Sequence, residues 1–508
     1  MTTMKKNEVQ KNNTKEAAQE NNAKNNAPSS QNSIYKQAFP WLLWLVFLSL
    51  TFFGVLHHEP WCDEAQAWLI TRDLGLWDII RQLPYEGTPG LWHLLLFPLA
   101  KLGLPYATMS WLHWLIAGGA MFIFIFFARL PKIFKVAFAL SYFPLYEYAV
   151  IARNYSLAIL FLFAVAAFYP HRERRPIIYS LIIFGLLQTN ILVFVPALFL
   201  ILLFIVDQWK KEKLGNSALI ATTIMLAGAI ITFLQVIPYP GQLHGSFLEP
   251  RLLSVLSSIG AVFLPIAKEY NEITFFSGWS YLLGGAVIVS LFILTGLLIR
   301  ARRFLVLYAT SASWLLFIFL SKNVGALRHY GFFLIFFIFS WWLSENHQNK
   351  TPKSSRRLTV MIAAALMIPG IIISADVYRQ EYLYNFSGGK EIAQYIKDNE
   401  LEQANIISLS SFINLSALPY LPETKFWQPE RQEFGTFVTL DYEYVLGSLT
   451  GYQEIRRRIN SSFYGQEVFL LSSLNLDGYD KSLELVTKNQ KPSMSGGFFY
   501  LYRLSTLE

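Results

Sequence analysis

The chain has 508 residues, 54% of them hydrophobic and only 15% charged, against roughly 25% charged in a soluble domain. Its net charge of +8 sits in short basic clusters between apolar runs, the pattern of cytoplasmic loops in membrane proteins, which argues against a nucleic-acid partner. The single cysteine, Cys62, excludes an intramolecular disulfide and a cysteine-rich metal site.

Residues 1–36 are rich in Asn, Lys, Gln and Ala and read as a disordered cytoplasmic tail. The first apolar run, Phe39–Leu56, is followed by no clear small-residue cleavage site and reads as a retained membrane helix. Further spans are expected at Met109–Ala128, Ile133–Leu145, Tyr155–Phe168, Ile177–Thr189, Ile191–Ile205, Leu219–Ile237, Trp279–Leu298, Phe304–Leu320, Tyr330–Leu343 and Leu358–Ile373. Leu91–Leu102 is marginal in length and carries Pro98, so it reads as a short embedded or juxtamembrane helix. Together these make about eleven crossings by the usual length criterion.

Basic clusters at Lys5–Lys36, Arg129–Lys135, Arg172–Arg175, Lys210–Lys213, Arg300–Arg303 and Lys350–Arg357 orient the spans and put the N-terminus in the cytoplasm. The membrane domain is then 37–375, with outer loops at 57–90 and 238–278. The second loop is expected to carry short helices around Leu252–Leu264. After it, 376–508 mixes polar and apolar residues. Gly389–Lys397 reads as a helix, and Asn405–Leu409, Val468–Ser472 and Phe498–Arg503 as strands. The predicted fold class is an α-helical polytopic membrane protein with a small mixed α/β extracytoplasmic domain.

Four polar sites need an explanation. Asp63 and Glu64 follow the first span: either Asp63 caps a helix Glu64–Thr71, or a carboxylate stands at the water–lipid boundary to take a proton or hold a metal. His57 and His58 read as interface residues. Glu86 precedes an apolar helix, where an acid favours the N-terminus, and His93 lies close by. Glu147 and Arg153 share a weakly polar turn, as a structural ion pair or as functional charges. Arg328 and His329, with Lys322 and Gly325 upstream, stand at the outer end of a span. An arginine there suits a lipid-linked phosphate or an ordinary headgroup. All of these fall at one membrane face. A transporter would instead place its main charges at the midplane.

Asp63-Glu64-Ala65, Tyr85-Glu86-Gly87-Thr88-Pro89-Gly90-Leu91-Trp92 and Glu147 through Arg153-Asn154-Tyr155 resemble the GT-C-type membrane glycosyltransferases. The resemblance is to the protein O-mannosyltransferase and aminoarabinose transferase branch, best over residues 39–210. Thr88-Pro89-Gly90 departs from the His/Lys-Pro-Pro stretch usual in the aminoarabinose branch.

The resemblance implies a bacterial plasma-membrane enzyme. It would move a sugar, with inversion, from a polyprenyl-phosphate-type carrier to an envelope glycolipid, polysaccharide or protein at the outer face. It implies Asp63 as base or acceptor-orienting acid, with Glu64 as an adjacent candidate, and Glu147 as a second acid. Glu86 matches an acid before the helix start, and His93, Arg153, Arg328 and His329 are candidate substrate contacts by their placement at this face. A divalent cation, Mg or Mn, at Asp63 and Glu147 is compatible with this chemistry but is not required by it. The competing class is a transporter or flippase for a lipid-linked saccharide.

Overall fold

The computed structural model describes residues 30–211, 215–237, 255, 258–260, 262, 279–321, 326–347, 353–441, 444, 447, 450–494 and 498–504. The loop expected at 238–278 therefore lies almost wholly outside the described residues, as do Lys322, Gly325 and residues 1–29 of the tail.

Helix α1 (Ser30–His57) ends where polar sequence begins. Three short helices follow it: α2 (Cys62–Asp73), α3 (Leu76–Glu86) and α4 (Leu91–Lys101). Gly87, at φ +64°, takes the left-handed conformation that ends α3, a geometry open to glycine without a Cβ penalty. The eleven residues of α4 reach about 16 Å, half of a bilayer core about 30 Å thick. Leu91–Lys101 is thus too short to cross. Its Trp92, His93 and Leu96 are buried, and Trp92 and Leu96 pack with Ala67 and Trp68 of α2.

The body continues with α5 (Ala107–Phe127), α6 (Lys132–Ala139), α7 (Tyr155–Phe168), α8 (Pro176–Leu187), α9 (Phe194–Lys210) and α10 (Asn216–Val236). It is completed by α11 (Trp279–Leu298), α12 (Arg302–Ser321), α13 (Leu327–His347), α14 (Lys353–Ala365) and α15 (Ile368–Leu383). Among the described residues seven helical runs are long and apolar enough to cross a membrane; α4, α7, α8 and the stretch Ile288–Leu298 of α11 are shorter apolar helices. The chain is a multi-pass membrane protein.

The span expected at Ile133–Leu145 is broken. Helix α6 stops at Ala139, and Phe143–Glu147 forms a single π-helical turn with Pro144 at its start. Tyr148–Asn154 then runs as buried irregular backbone up to α7. Such backbone is tolerated at membrane depth only where protein groups replace water. Here Tyr378 donates to the Leu145 carbonyl, Ser156 to the Tyr148 carbonyl and Ala152 N–H to a carboxylate. Helix α13 is buried from Tyr330 to Ser344, as an apolar-all-round sequence requires.

Helix α15 continues past Ala375 to Leu383. Beyond it stand α16 (Gly389–Asp398) and a six-stranded sheet. The strands are β1 (Asn405–Ser408), β2 (Phe426–Gln428), β3 (Glu433–Gly435), β4 (Val468–Ser472), β5 (Leu483–Lys488) and β6 (Tyr500–Leu504), in the order β3-β2-β1-β4-β6-β5. β1 pairs in parallel with β2 and β4; the other pairings are antiparallel. β4, the continuous apolar run Val468–Leu471, is buried on both faces, as a central strand between two layers must be. One layer contains Ile392 and Ile396 of α16 together with Cys62, Ala65 and Leu69 of α2. The first-loop helix is therefore part of the core of the C-terminal domain.

Candidate active site

Helix α2 presents its polar residues on separate sides. Its N-terminal boundary residue is Trp61, so Glu64 occupies the third helical position and accepts the Trp61 N–H at 3.0 Å. Glu64, not Asp63, holds the helix start, because the helix begins earlier than the expected Glu64–Thr71. This leaves Asp63 free to turn to the arginines.

Asp63 Oδ2 lies 2.5 Å from Arg153 Nη1 and 2.8 Å from Arg328 Nη2. The three side chains keep 12%, 21% and 18% of their surface exposed, so the cluster is half-enclosed and still reachable. Burial works against charge on Asp63, but the guanidinium groups of Arg153 and Arg328 outweigh it and hold the carboxyl below its ordinary range. Arg328 lies over the Trp61 ring at 5.3 Å, and its carbonyl accepts from Tyr148 Oη at 2.6 Å. Arg153 packs over Tyr155 at 5.8 Å.

Arg153 is therefore the partner of Asp63, not of Glu147. Glu147 is buried in the π-helical turn and accepts from Tyr142 Oη at 2.6 Å. Glu86 is the last residue of α3 rather than the cap of α4, and takes the amides of Gln66 and Gln82 at 2.9 and 3.3 Å. Burial pushes its carboxyl up, and these two donors offset only part of that. His93 is buried, and neither ring nitrogen has a hydrogen-bond partner among the described residues. His329 Nδ1 accepts the Ala326 N–H at 2.9 Å.

His57 lies near the aromatic rings of Phe53 and Tyr382, as an interface residue would. His58 does not fit that reading. It is buried between two carboxylates, with Nε2 3.0 Å from Glu64 Oε2 and Nδ1 2.7 Å from Glu381 Oε1. Burial disfavours the imidazolium, yet Glu381 and Glu64 push the ring up to about 10. The same contact holds Glu64 below its ordinary range despite burial. Glu381, Gln66 and Tyr148 carry no signal in the sequence: each finds its partner from a distant segment.

A divalent cation does not fit Asp63 and Glu147 as they stand. The Asp63 partners are both cations, and among the described residues no group of three or more His, Cys, Asp or Glu is gathered as metal ligands.

Fold and site define a multi-pass membrane protein with a half-enclosed acid–arginine cluster where the first-loop helix α2, an irregular membrane loop and the start of α13 meet. No family model matches the chain, and no curated protein matches it. Among solved structures, the chain is similar to ArnT from Cupriavidus metallidurans, crystallised bound to undecaprenyl phosphate. The two are 11% identical with a TM-score of 0.48, over 94% of this chain and 98% of that one.

Proposed function

We propose that the chain is an inverting glycosyltransferase of the bacterial plasma membrane. It takes a sugar from a polyprenyl-phosphate-type lipid and passes it to a hydroxyl or amine of an envelope glycolipid, polysaccharide or protein at the outer face. The observation that carries this reading is the convergence of Arg153 and Arg328 on one oxygen of Asp63. Two partly exposed guanidinium groups beside a carboxylate are suited to a phosphate, which offers them more charge and more acceptor oxygens.

The chemistry follows from that exchange. When the donor phosphate takes the guanidinium groups, Asp63 loses part of their pull and its proton affinity rises. The acceptor oxygen or nitrogen then attacks the anomeric carbon from the face opposite the phosphate. The bond from that carbon to the phosphate oxygen breaks, and its electron pair leaves on the phosphate. The acceptor proton passes to Asp63. Arg153 and Arg328 stabilise the departing polyprenyl phosphate. Their positive charge fills the role of a divalent cation, so the reaction is written without one.

Glu86, which holds its proton more tightly than an ordinary glutamate, suits hydrogen bonding to acceptor or sugar. His93, with two unpartnered ring nitrogens among the described residues, suits a sugar hydroxyl. His329 stands beside Arg328 at the donor phosphate. Glu147 is a candidate second acid, reached through the loop that also carries Arg153.

The test is transfer from radiolabelled polyprenyl-phosphate sugars to envelope extract by the purified protein in proteoliposomes. Label should pass to an acceptor, and Asp63→Asn should slow this by about 10²–10⁴-fold. Translocation of intact donor with no transfer would establish a transporter and overturn the proposal.

A further inference from the structure

Glu64, His58 and Glu381 form a continuous charged array that the transfer chemistry does not use. Their side chains are 0%, 1% and 0% exposed, so they are closed to substrate. Tyr146 Oη also donates to Glu381 Oε1. The array joins the last membrane helix, through Glu381 of α15, to the start of α2.

Stability does not explain it. Buried ion arrays recover their desolvation only with full hydrogen bonding, and Glu381 Oε2 has no partner among the described residues. Geometry gives the better account. The second oxygen of Glu64, Oε1, accepts the Ala152 N–H at 2.6 Å, a charge-assisted bond to the amide just before Arg153. On the other side of Arg153, Asn154 Nδ2 donates to the Thr189 carbonyl at 3.0 Å, and Asn190 Nδ2 donates to Asn154 Oδ1 at 3.1 Å. Arg153 thus leaves an irregular loop that is pinned immediately before and immediately after it. Arg153 itself lies outside any helix, so those side chains help set where the guanidinium falls.

We infer that Glu64, His58 and Glu381 are positioning residues that fix Arg153 against the donor phosphate through the Ala152 amide. The inference rests on the reading of Arg153 as a phosphate ligand. Glu64 holds the amide, His58 holds Glu64 in the rotamer that reaches it, and Glu381 anchors His58 to α15. The array touches no substrate; Glu64 also holds the start of α2, and the effect of the array on phosphate binding runs through Arg153.

A double-mutant cycle separates this role from general destabilisation. Undecaprenyl phosphate is the probe, with binding to the full chain in detergent measured by native mass spectrometry. Arg153→Ala should weaken binding. Glu381→Gln and His58→Gln should each weaken it by roughly tenfold in the wild-type background, within the coupling range of residues sharing one network. Neither should weaken it further when Arg153→Ala is already present. Glu381→Gln keeps an acceptor for Tyr146 but removes the charge that pairs with His58, so it serves if His58→Gln does not fold; thermal melting identifies the folded variants. If Arg153→Ala binds like wild type, the phosphate reading itself fails. If Arg153→Ala binds weakly but the array variants bind like wild type, or their losses multiply with that of Arg153→Ala, the positioning role is overturned.

Discussion

Gln66 and Val438 exchange two hydrogen bonds: Gln66 Nε2 donates to the Val438 carbonyl at 2.5 Å, and Val438 N–H donates to Gln66 Oε1 at 3.0 Å. The same Gln66 nitrogen reaches Glu86. One side chain of α2 therefore clips the C-terminal domain to the first loop and orients a candidate site acid. Thr439 adds a longer bond to Gln82, and Phe437 packs against Ile70, Ile79 and Leu83.

Gln66→Ala removes both partners of the buried Val438 backbone. Two unsatisfied groups at about 1–3 kcal/mol each should loosen the segment 437–439 without unfolding the membrane helices. Hydrogen–deuterium exchange should rise at Phe437–Thr439 and stay unchanged in α13. Equal protection of the segment in wild type and variant would show that the clip contributes nothing.

Glu59 predicts a pH dependence. It accepts the Lys390 N–H at 2.7 Å at the start of α16. Burial pushes its carboxyl from 4.5 up to about 7, against the smaller opposing effect of that amide. The folded chain therefore binds this proton more tightly than the unfolded chain. The resulting stability is fully present below about pH 4.5 and is lost as pH rises through about 7, a span of about 3 kcal/mol. Glu59→Gln keeps an acceptor for Lys390 and removes the titration. Its melting temperature relative to wild type should climb between pH 5 and pH 8, with the variant the more stable at pH 8. A difference that stays constant over that range would contradict the assignment.

Gly331 in α13 has no room for a Cβ, which would overlap the Phe143 ring and Tyr148 Oη. Gly331→Ala should cost about 1–3 kcal/mol. Because Tyr148 holds the Arg328 carbonyl, it should also weaken undecaprenyl phosphate binding. Gly185→Ala, whose Cβ would meet the Phe161 ring, is the control: it should lower the melting temperature and leave binding intact. Equal affinity in the two variants would show that Tyr148 does not position Arg328.

Long apolar runs were readable because a membrane helix must satisfy its backbone internally over a fixed length. The expectations at Met109–Ala128, Leu219–Ile237 and Phe304–Leu320 correspond to α5, α10 and α12 within a few residues. The runs that failed were short or interrupted. Ile133–Leu145 has the composition of a span, but Pro144 and the π-helical turn divide it. In the C-terminal domain, α16, β1, β4 and β6 match their predicted segments closely. β2 and β3 are three residues each, too short for a period-2 pattern to register.

The acids and arginines of the site were likewise visible as charges out of place beside apolar sequence, since such charges need a reason. Their pairing was not. Asp63, Arg153 and Arg328 are far apart in the chain, and local spacing offered Arg153 only a nearby Glu147 as a structural partner, not the contact that forms. Asp63 and Glu64 are adjacent and chemically alike, yet one faces two arginines and the other a buried histidine, because successive helical positions point in different directions. By itself, the sequence determined a many-span membrane body, an appended mixed domain and the residues able to carry charge at its boundary, all consequences of local composition and period. Tertiary structure alone decided which charges meet, that His58 is buried rather than interfacial, and that α2 belongs to the core of the C-terminal domain. Those outcomes depend on contacts between distant segments, which no local pattern encodes.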